Sequence, residues 1–212
     1  MTTVERTGKT PDEAIELALM ELDAERGEVE IDVVSRGKSG ILGIGGEPAK
    51  VRVTLIEKPS DVVRVATEVL ENLIEKMGVD ATVNLKQAYD EEVDGPVIDV
   101  DGDDSGLLIG RRGETLRALQ FLVSFISAKK LGERVNLFID VSGYQERRYE
   151  TLRDMARQGA SRVADSDRAI TLEPMPPNER RIVHLTLADN PNVTTSSVGR
   201  GDDRQVVVEP QD

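Results

Sequence analysis

The chain of 212 residues has no cysteine, no tryptophan and a single histidine, and each scarcity closes off chemistry. Without thiols there is no disulfide framework, no thiolate zinc site and no thiol nucleophile. His184 alone cannot furnish a centre that needs two imidazoles, such as the paired histidines of a zinc-protease helix. Basic residues are outnumbered, 27 against 40 acidic, giving a formal net charge of −13. That balance argues against indiscriminate attraction to nucleic acid, though not against a local basic site on an acidic body. Long apolar runs are missing too: the best, Phe121 to Ala128, is broken by two serines and falls far short of the ~20 residues that span a bilayer. Met1 to Glu16 carries acids and no apolar run, so no signal peptide is expected. The expectation is a soluble, cytoplasmic protein without stable membrane insertion. No residue cluster calls for a metal or a cofactor, and none is expected.

What remains is an ordinary globular composition. Apolar types make up 38% of the chain, and its 18 glycines bring the total to the roughly 45–50% usual for folded domains. Such a chain buries a core and is not a disordered acidic tail.

Three segments separate by pattern, predicting an α+β protein of three small domains over residues 1–58, 59–142 and 143–212. In the first, a short strand near Thr2–Arg6 leads into Thr10-Pro11-Asp12-Glu13, a capping box with proline at the first helical position. Ala14, Ile15, Ala18, Leu19 and Leu22 follow at helical spacing, with Arg26-Gly27 as the expected stop. Val29 to Val33 and Ala49 to Leu55 alternate as half-buried strands around a glycine-rich stretch, Gly37 to Gly46, completing a β-α-β-β unit.

The second segment predicts a helix capped by Ser60 and ended by Gly78, with Val62, Ala66, Val69, Leu70, Leu73 and Met77 on its inner side. Strands at about Ala81–Gln87 and Val97–Val100, a helix–turn–helix from Ser105 to Arg134, and a strand from Val135 to Val141 complete the order α-β-β-α-α-β. Leu116, Leu119, Phe121, Leu122, Val123, Phe125 and Ile126 leave the later helix almost no polar face, so central burial is expected. Phe121 and Phe125 are accordingly assigned to the core.

In the third segment, Ser142-Gly143-Tyr144-Gln145 reads as a capping box before a helix with Leu152, Met155, Ala156 and Val163 inward. Arg147, Arg148, Arg153 and Arg157 alternate with acids as on a solvated, ion-paired face. After the break at Pro174, Pro176 and Pro177, a helix over Asn178–Ala188 and a closing hairpin, Thr194–Val198 with Gln205–Val208, are predicted.

The sharpest chemical signal is Ile109-Gly110-Arg111-Arg112-Gly113. A G-x-x-G corner permits positive φ and close backbone approach, and the helix after it points its positive end at the turn, favouring phosphate. Arg111 and Arg112 add forked donors. Charge is segregated around this corner: Gly106 to Arg134 has six cations and two acids, whereas Asp90 to Asp104 has eight acids and no base. By contrast, Gly8-Lys9-Thr10 and Gly37-Lys38-Ser39 only end like phosphate loops, because the required earlier glycine is Thr3 in one and Asp32 in the other.

That corner, in its α-β-β-α-α-β order, resembles the type II KH domain, whose G-x-x-G loop clamps a short single strand by its backbone. Gly106 to Val123 is similar to the KH domain of the Jag/KhpB family. Ser39 to Val53 resembles that family's N-terminal Jag-N domain, with Ile41 where an aromatic is common and Ser39 where lysine or glycine is usual. The third segment resembles an R-three-H domain, its arginine and histidine being Arg180 and His184 in Arg180-Arg-Ile-Val-His184. These lie four apart, on one helix face.

The resemblance implies single-stranded RNA binding by Gly110, Arg111, Arg112, Gly113 and Arg117, and by Arg180, His184 and Arg200, without catalysis. It also implies an RNA-chaperone-like, post-transcriptional role, a small KH-domain partner, and a link to cell-wall synthesis and cell shape. Two alternatives stay open at this point. His184 can be a structural histidine bonded within its domain, and the chain can be a protein-interaction adaptor near a membrane insertase with degenerate RNA sites. The oligomeric state, a homo-oligomer included, is not legible.

Overall fold

The computed structural model describes residues 2–38, 47–56 and 59–211. The chain divides into two compact units, Met1–Gly143 and Tyr144–Asp212. In the first, β1 (Thr3–Gly8), α1 (Pro11–Leu22), β2 (Val29–Ser35) and β3 (Ala49–Leu55) form the expected β-α-β-β layer, an antiparallel sheet in the order β1-β3-β2. The Thr10 hydroxyl accepts from the Glu13 N–H at 3.2 Å, and the Glu13 carboxylate accepts from the Lys9 N–H, so the capping box forms as read. Ala14, Ile15, Ala18 and Leu19 bury one face of α1 against Ile31, Val51 and Val53. The helix stops earlier than expected, at Leu22, because Asp23 adopts a left-handed cap and Arg26–Glu28 forms a separate 3-10 turn. Most of the glycine-rich stretch, Ser39 to Gly46, lies outside the described residues.

The same unit continues with α2 (Asp61–Met77), β4 (Thr82–Asp90), β5 (Gly95–Asp101), α3 (Ser105–Ile109), α4 (Glu114–Leu131) and β6 (Phe138–Val141). Strand order is β4-β5-β6, antiparallel in the first pair and parallel in the second. A parallel neighbour requires a crossover, and α3, the G-x-x-G turn and α4 are that crossover. Ser60 caps α2 by accepting from the Val63 N–H at 3.2 Å, and Gly78 ends it in a left-handed conformation. The inner face of α2 is rotated from the expected one: Val63, Val65, Ala66, Val69, Leu70 and Ile74 are buried, while Met77 is exposed.

Polar ties join the two layers of this first unit. Arg26 donates to Asn84 Oδ1 at 2.6 Å, the Ala88 N–H donates to Glu30 Oε1 at 2.6 Å, and Arg36, just beyond β2, binds Asp101 and reaches Asp99 at 3.5 Å. Asp99 and Asp101 are nearly buried, and a cleft of about 170 Å³ beside them is lined by Val33, Arg36, Lys86, Asp99 and Asp140. Burial, then the charge of Asp101 and a hydrogen bond with it, push the Asp99 carboxyl up to about 8. Asp101 moves the other way because Arg36 and Ser142 hold its charged form against burial.

The second unit contains α5 (Tyr144–Ser166), β7 (Ile170–Thr171), α6 (Pro177–Leu187), β8 (Val193–Val198) and β9 (Gln205–Pro210). The hairpin β8–β9 forms as predicted, and the unpredicted β7 adds to it in the order β7-β9-β8. Leu152, Ala156, Ala160 and Val163 of α5 meet Val183, Leu187, Val206 and Val208 in one core. Arg157 makes an exposed pair with Asp154, and the half-buried Arg153 pairs with the exposed Glu150, as the charge pattern implies. Arg148 does not: its side chain is nearly buried and clamps the buried Glu179 through Nε at 3.1 Å and Nη2 at 2.8 Å. A buried carboxylate needs such a forked partner.

Candidate nucleic-acid interface

The G-x-x-G corner of the first unit is built by backbone conformations that few residues adopt. Gly110 has φ 67° and ψ −171°, a region essentially confined to glycine. A Cβ there would collide with Thr115 Oγ1 and sit 2.8 Å from Thr115 Cβ, so the turn closes directly over the first residues of α4. Arg112 and Gly113 follow at φ 54° and 74°. Gly113 is the N-cap of α4 and offers no side chain to cover the first-turn N–H groups. The Glu114 N–H donates to the Arg111 carbonyl, no side chain caps the rest of the first turn, and the positive end of this 18-residue helix favours an anion.

Side chains around this corner divide into two roles. Arg111 is exposed and Arg112 half-buried at the apex, whereas Gly113 is buried beneath them. Arg117, one turn into α4, donates from Nη1 to the Arg112 carbonyl at 2.9 Å. It thus braces the corner, a role its expected place among phosphate contacts did not include.

The outer face of α4 departs most from expectation. Leu116, Leu119, Val123 and Ser127 are buried, but Phe121, Leu122 and Phe125 are 66%, 43% and 51% exposed. The two phenylalanine rings stack with centroids 6.0 Å apart, and the Lys129 ammonium lies 5.6 Å from the Phe125 centroid. Central burial fails because one three-stranded sheet and α2 cover one side of this helix, and among the described residues no layer lies over its second apolar side. Stacked apolar rings on an exposed helix face are a surface that a partner could cover. Sequence reasoning missed it, although a helix apolar all round and longer than its own core requires was the available signal.

In the second unit Arg180 and His184 share one face of α6, as their spacing predicts. The His184 ring is held at both nitrogens: Nδ1 lies 2.7 Å from Thr195 Oγ1 and Nε2 lies 2.9 Å from Ser197 Oγ. Arg180 donates from Nη1 to the same Ser197 hydroxyl at 3.4 Å and from Nε to the Met175 carbonyl at 3.3 Å. Burial first, and the charge of Arg180 second, hold the imidazole below its ordinary value. Arg200 and Arg204 are exposed beyond this cluster, at the turn between β8 and β9. Thr195 and Ser197 carried no signal in the sequence, because only strand pairing sets them opposite α6. Among the described residues no group of three or more acidic or histidine side chains is arranged to hold a metal, and no helix is long and apolar enough to cross a membrane.

Fold and sequence comparison together define an α+β chain of three domains, one with a glycine-bracketed corner carrying Arg111 and Arg112 and one with Arg180 and His184 on a helix face. Residues 6–55 match the family described as Jag N-terminus, residues 65–139 the KH domain of KhpA/KhpB, and residues 150–210 the R-three-H domain. A protein from Clostridium symbiosum named RNA-binding protein KhpB is 37% identical over 98% of this chain and 91% of its own length. A protein of the same name from Bacillus subtilis (strain 168) is 34% identical over 98% of each. One from Lactiplantibacillus plantarum is 36% identical over 69% of this chain and 44% of its own. The chain belongs to the KhpB family.

Proposed function

We propose that this protein binds single-stranded RNA by its phosphate backbone, with the Gly110–Gly113 corner as the principal grip and the Arg180 face of α6 as a second. The observation that carries this reading is the N-terminus of α4, without a side-chain cap, behind a turn that carries Arg111 and Arg112. Backbone N–H groups, the helix dipole and the exposed Arg111 guanidinium belong to one short turn, where a phosphate can be met. The names of the relatives support RNA over other polyanions. Two weak grips on one chain reinforce each other through effective concentration. The chain is a binding protein rather than an enzyme, and the cytoplasm, where its RNA would be met, is its place of action.

The exposed Phe121–Leu122–Phe125 stripe supports a protein partner docked on α4, for which a small KH-domain protein is our choice. The RNA-chaperone-like role and the link to cell-wall synthesis and cell shape rest on family membership alone. The test is a salt titration of binding to a short unstructured RNA. With about four phosphates neutralised, log K falls against log salt with a slope of roughly −2.8. Replacing Arg111 and Arg112 by Asp, a residue that tolerates the left-handed position, removes two of those contacts and shrinks the slope by about 1.4. A wild-type affinity indifferent to salt refutes phosphate gripping.

A further inference from the structure

The hydrogen-bond pattern around His184 fixes more than its position. Ser197 Oγ has one proton to give and lone pairs to accept with. Arg180 can only donate, so at this contact the serine accepts. The serine proton is then free to go to His184 Nε2, which requires that nitrogen to be unprotonated, and Nδ1–H donates to Thr195 Oγ1. Every link is satisfied with a neutral imidazole. An imidazolium would turn two cations onto one serine oxygen.

We propose that Ser197 is the positioning residue of the second grip: it joins neutral His184 to Arg180, so that Arg180 alone meets the RNA phosphate while His184 holds the serine in place. The inference rests on the reading that Arg180 contacts RNA, and it assigns the histidine of the pair a role behind the contact. Arg180 keeps its Nη2 protons and one Nη1 proton for a phosphodiester, because Nε and the other Nη1 proton are taken by Met175 and Ser197. A guanidinium restrained at two nitrogens loses less freedom on binding. Of the other charged groups on elements packed against α6, Arg148 of α5 is held by Glu179 and Glu209 of β9 accepts from Ser196.

The test uses the full chain, a short unstructured RNA, and the fact that His184 is the sole histidine, so its imidazole nuclear magnetic resonances are unambiguous. At pH 7 the ring is expected as the neutral Nδ1–H tautomer, free and with RNA bound. Ser197→Ala is expected to weaken binding about three- to tenfold, the net worth of a typical hydrogen bond, and Ser197→Thr to restore it. An imidazolium in the complex, or an Nε2–H tautomer, overturns the proposal, as does full affinity in Ser197→Ala. Arg180→Gln separates the two levels. If it binds RNA as wild type does, the second grip itself is refuted; if it loses affinity while Ser197→Ala does not, the positioning role alone falls.

Discussion

Replacing Asp99 by Asn should stabilise the first unit, and increasingly so as pH rises. Asp99 is nearly buried between Arg36, Asp101 and Asp140, and its carboxyl is pushed up to about 8 from an ordinary 3.8. Between those values the folded chain keeps a proton that the unfolded chain has released, so folding stability falls as pH rises through that window. The slope from this one group is at most about 1.4 kcal/mol per pH unit. From pH 5 to pH 7 that is a loss of about 3 kcal/mol, or roughly 5–10 °C in melting temperature for a chain of this size. Asp101, shifted downward, acts only below its ordinary range and does not blur the comparison. Asparagine donates to Asp101 as the protonated acid does, but it does not titrate. Thermal melts followed by far-ultraviolet circular dichroism at pH 5, 6 and 7 therefore separate the two proteins: wild type falls against a flatter Asp99→Asn. Parallel profiles would mean that Asp99 is ionised throughout, and the argument from burial would be wrong.

Gly110→Ala should cost about 1–3 kcal/mol in backbone strain, beyond the collision with Thr115, and weaken RNA binding with it; unchanged affinity and melting would show that the corner readily takes another conformation. Arg148→Met strands the buried Glu179 carboxylate and should destabilise the second unit by about 3–5 kcal/mol in urea unfolding, with most of the loss recovered when Glu179→Leu is added. Phe121→Ser with Phe125→Ser removes exposed rings and should shift stability by no more than about 0.5 kcal/mol. The same pair should abolish co-elution with a small KH-domain protein, and a complex that survives it places the partner elsewhere.

Local order in this protein is written in short-range chemistry, and that much was legible in the sequence. Thr10 and Ser60 cap helices because a hydroxyl reaches an N–H three residues on, whatever surrounds it. The alternation of Val29 to Val33 and of Ala49 to Leu55 sets strands with one buried face. Gly110 and Gly113 mark a corner that needs positive φ, and the four-residue spacing of Arg180 and His184 puts them on one face of a helix. Element order, and with it the α+β class and the candidate corner, follow from such signals.

What the tertiary structure decided is which surface each element shows to what. Phe121 and Phe125 read as core because periodicity counts apolar faces and not the layers available to cover them; the sheet and α2 cover one side of α4, and the other stays open. Arg148 read as solvated among its alternating neighbours, yet α6 brings Glu179 over it from 31 residues away. Thr195 and Ser197 meet His184, and Arg36 meets Asp99 and Asp101, across gaps in sequence that no local pattern spans. Hydrogen bonds and charge pairs between distant segments depend on where chain folding sets those segments in space. This is why the composition of the corner was readable while the two hydroxyls that hold the lone histidine of the second unit were not.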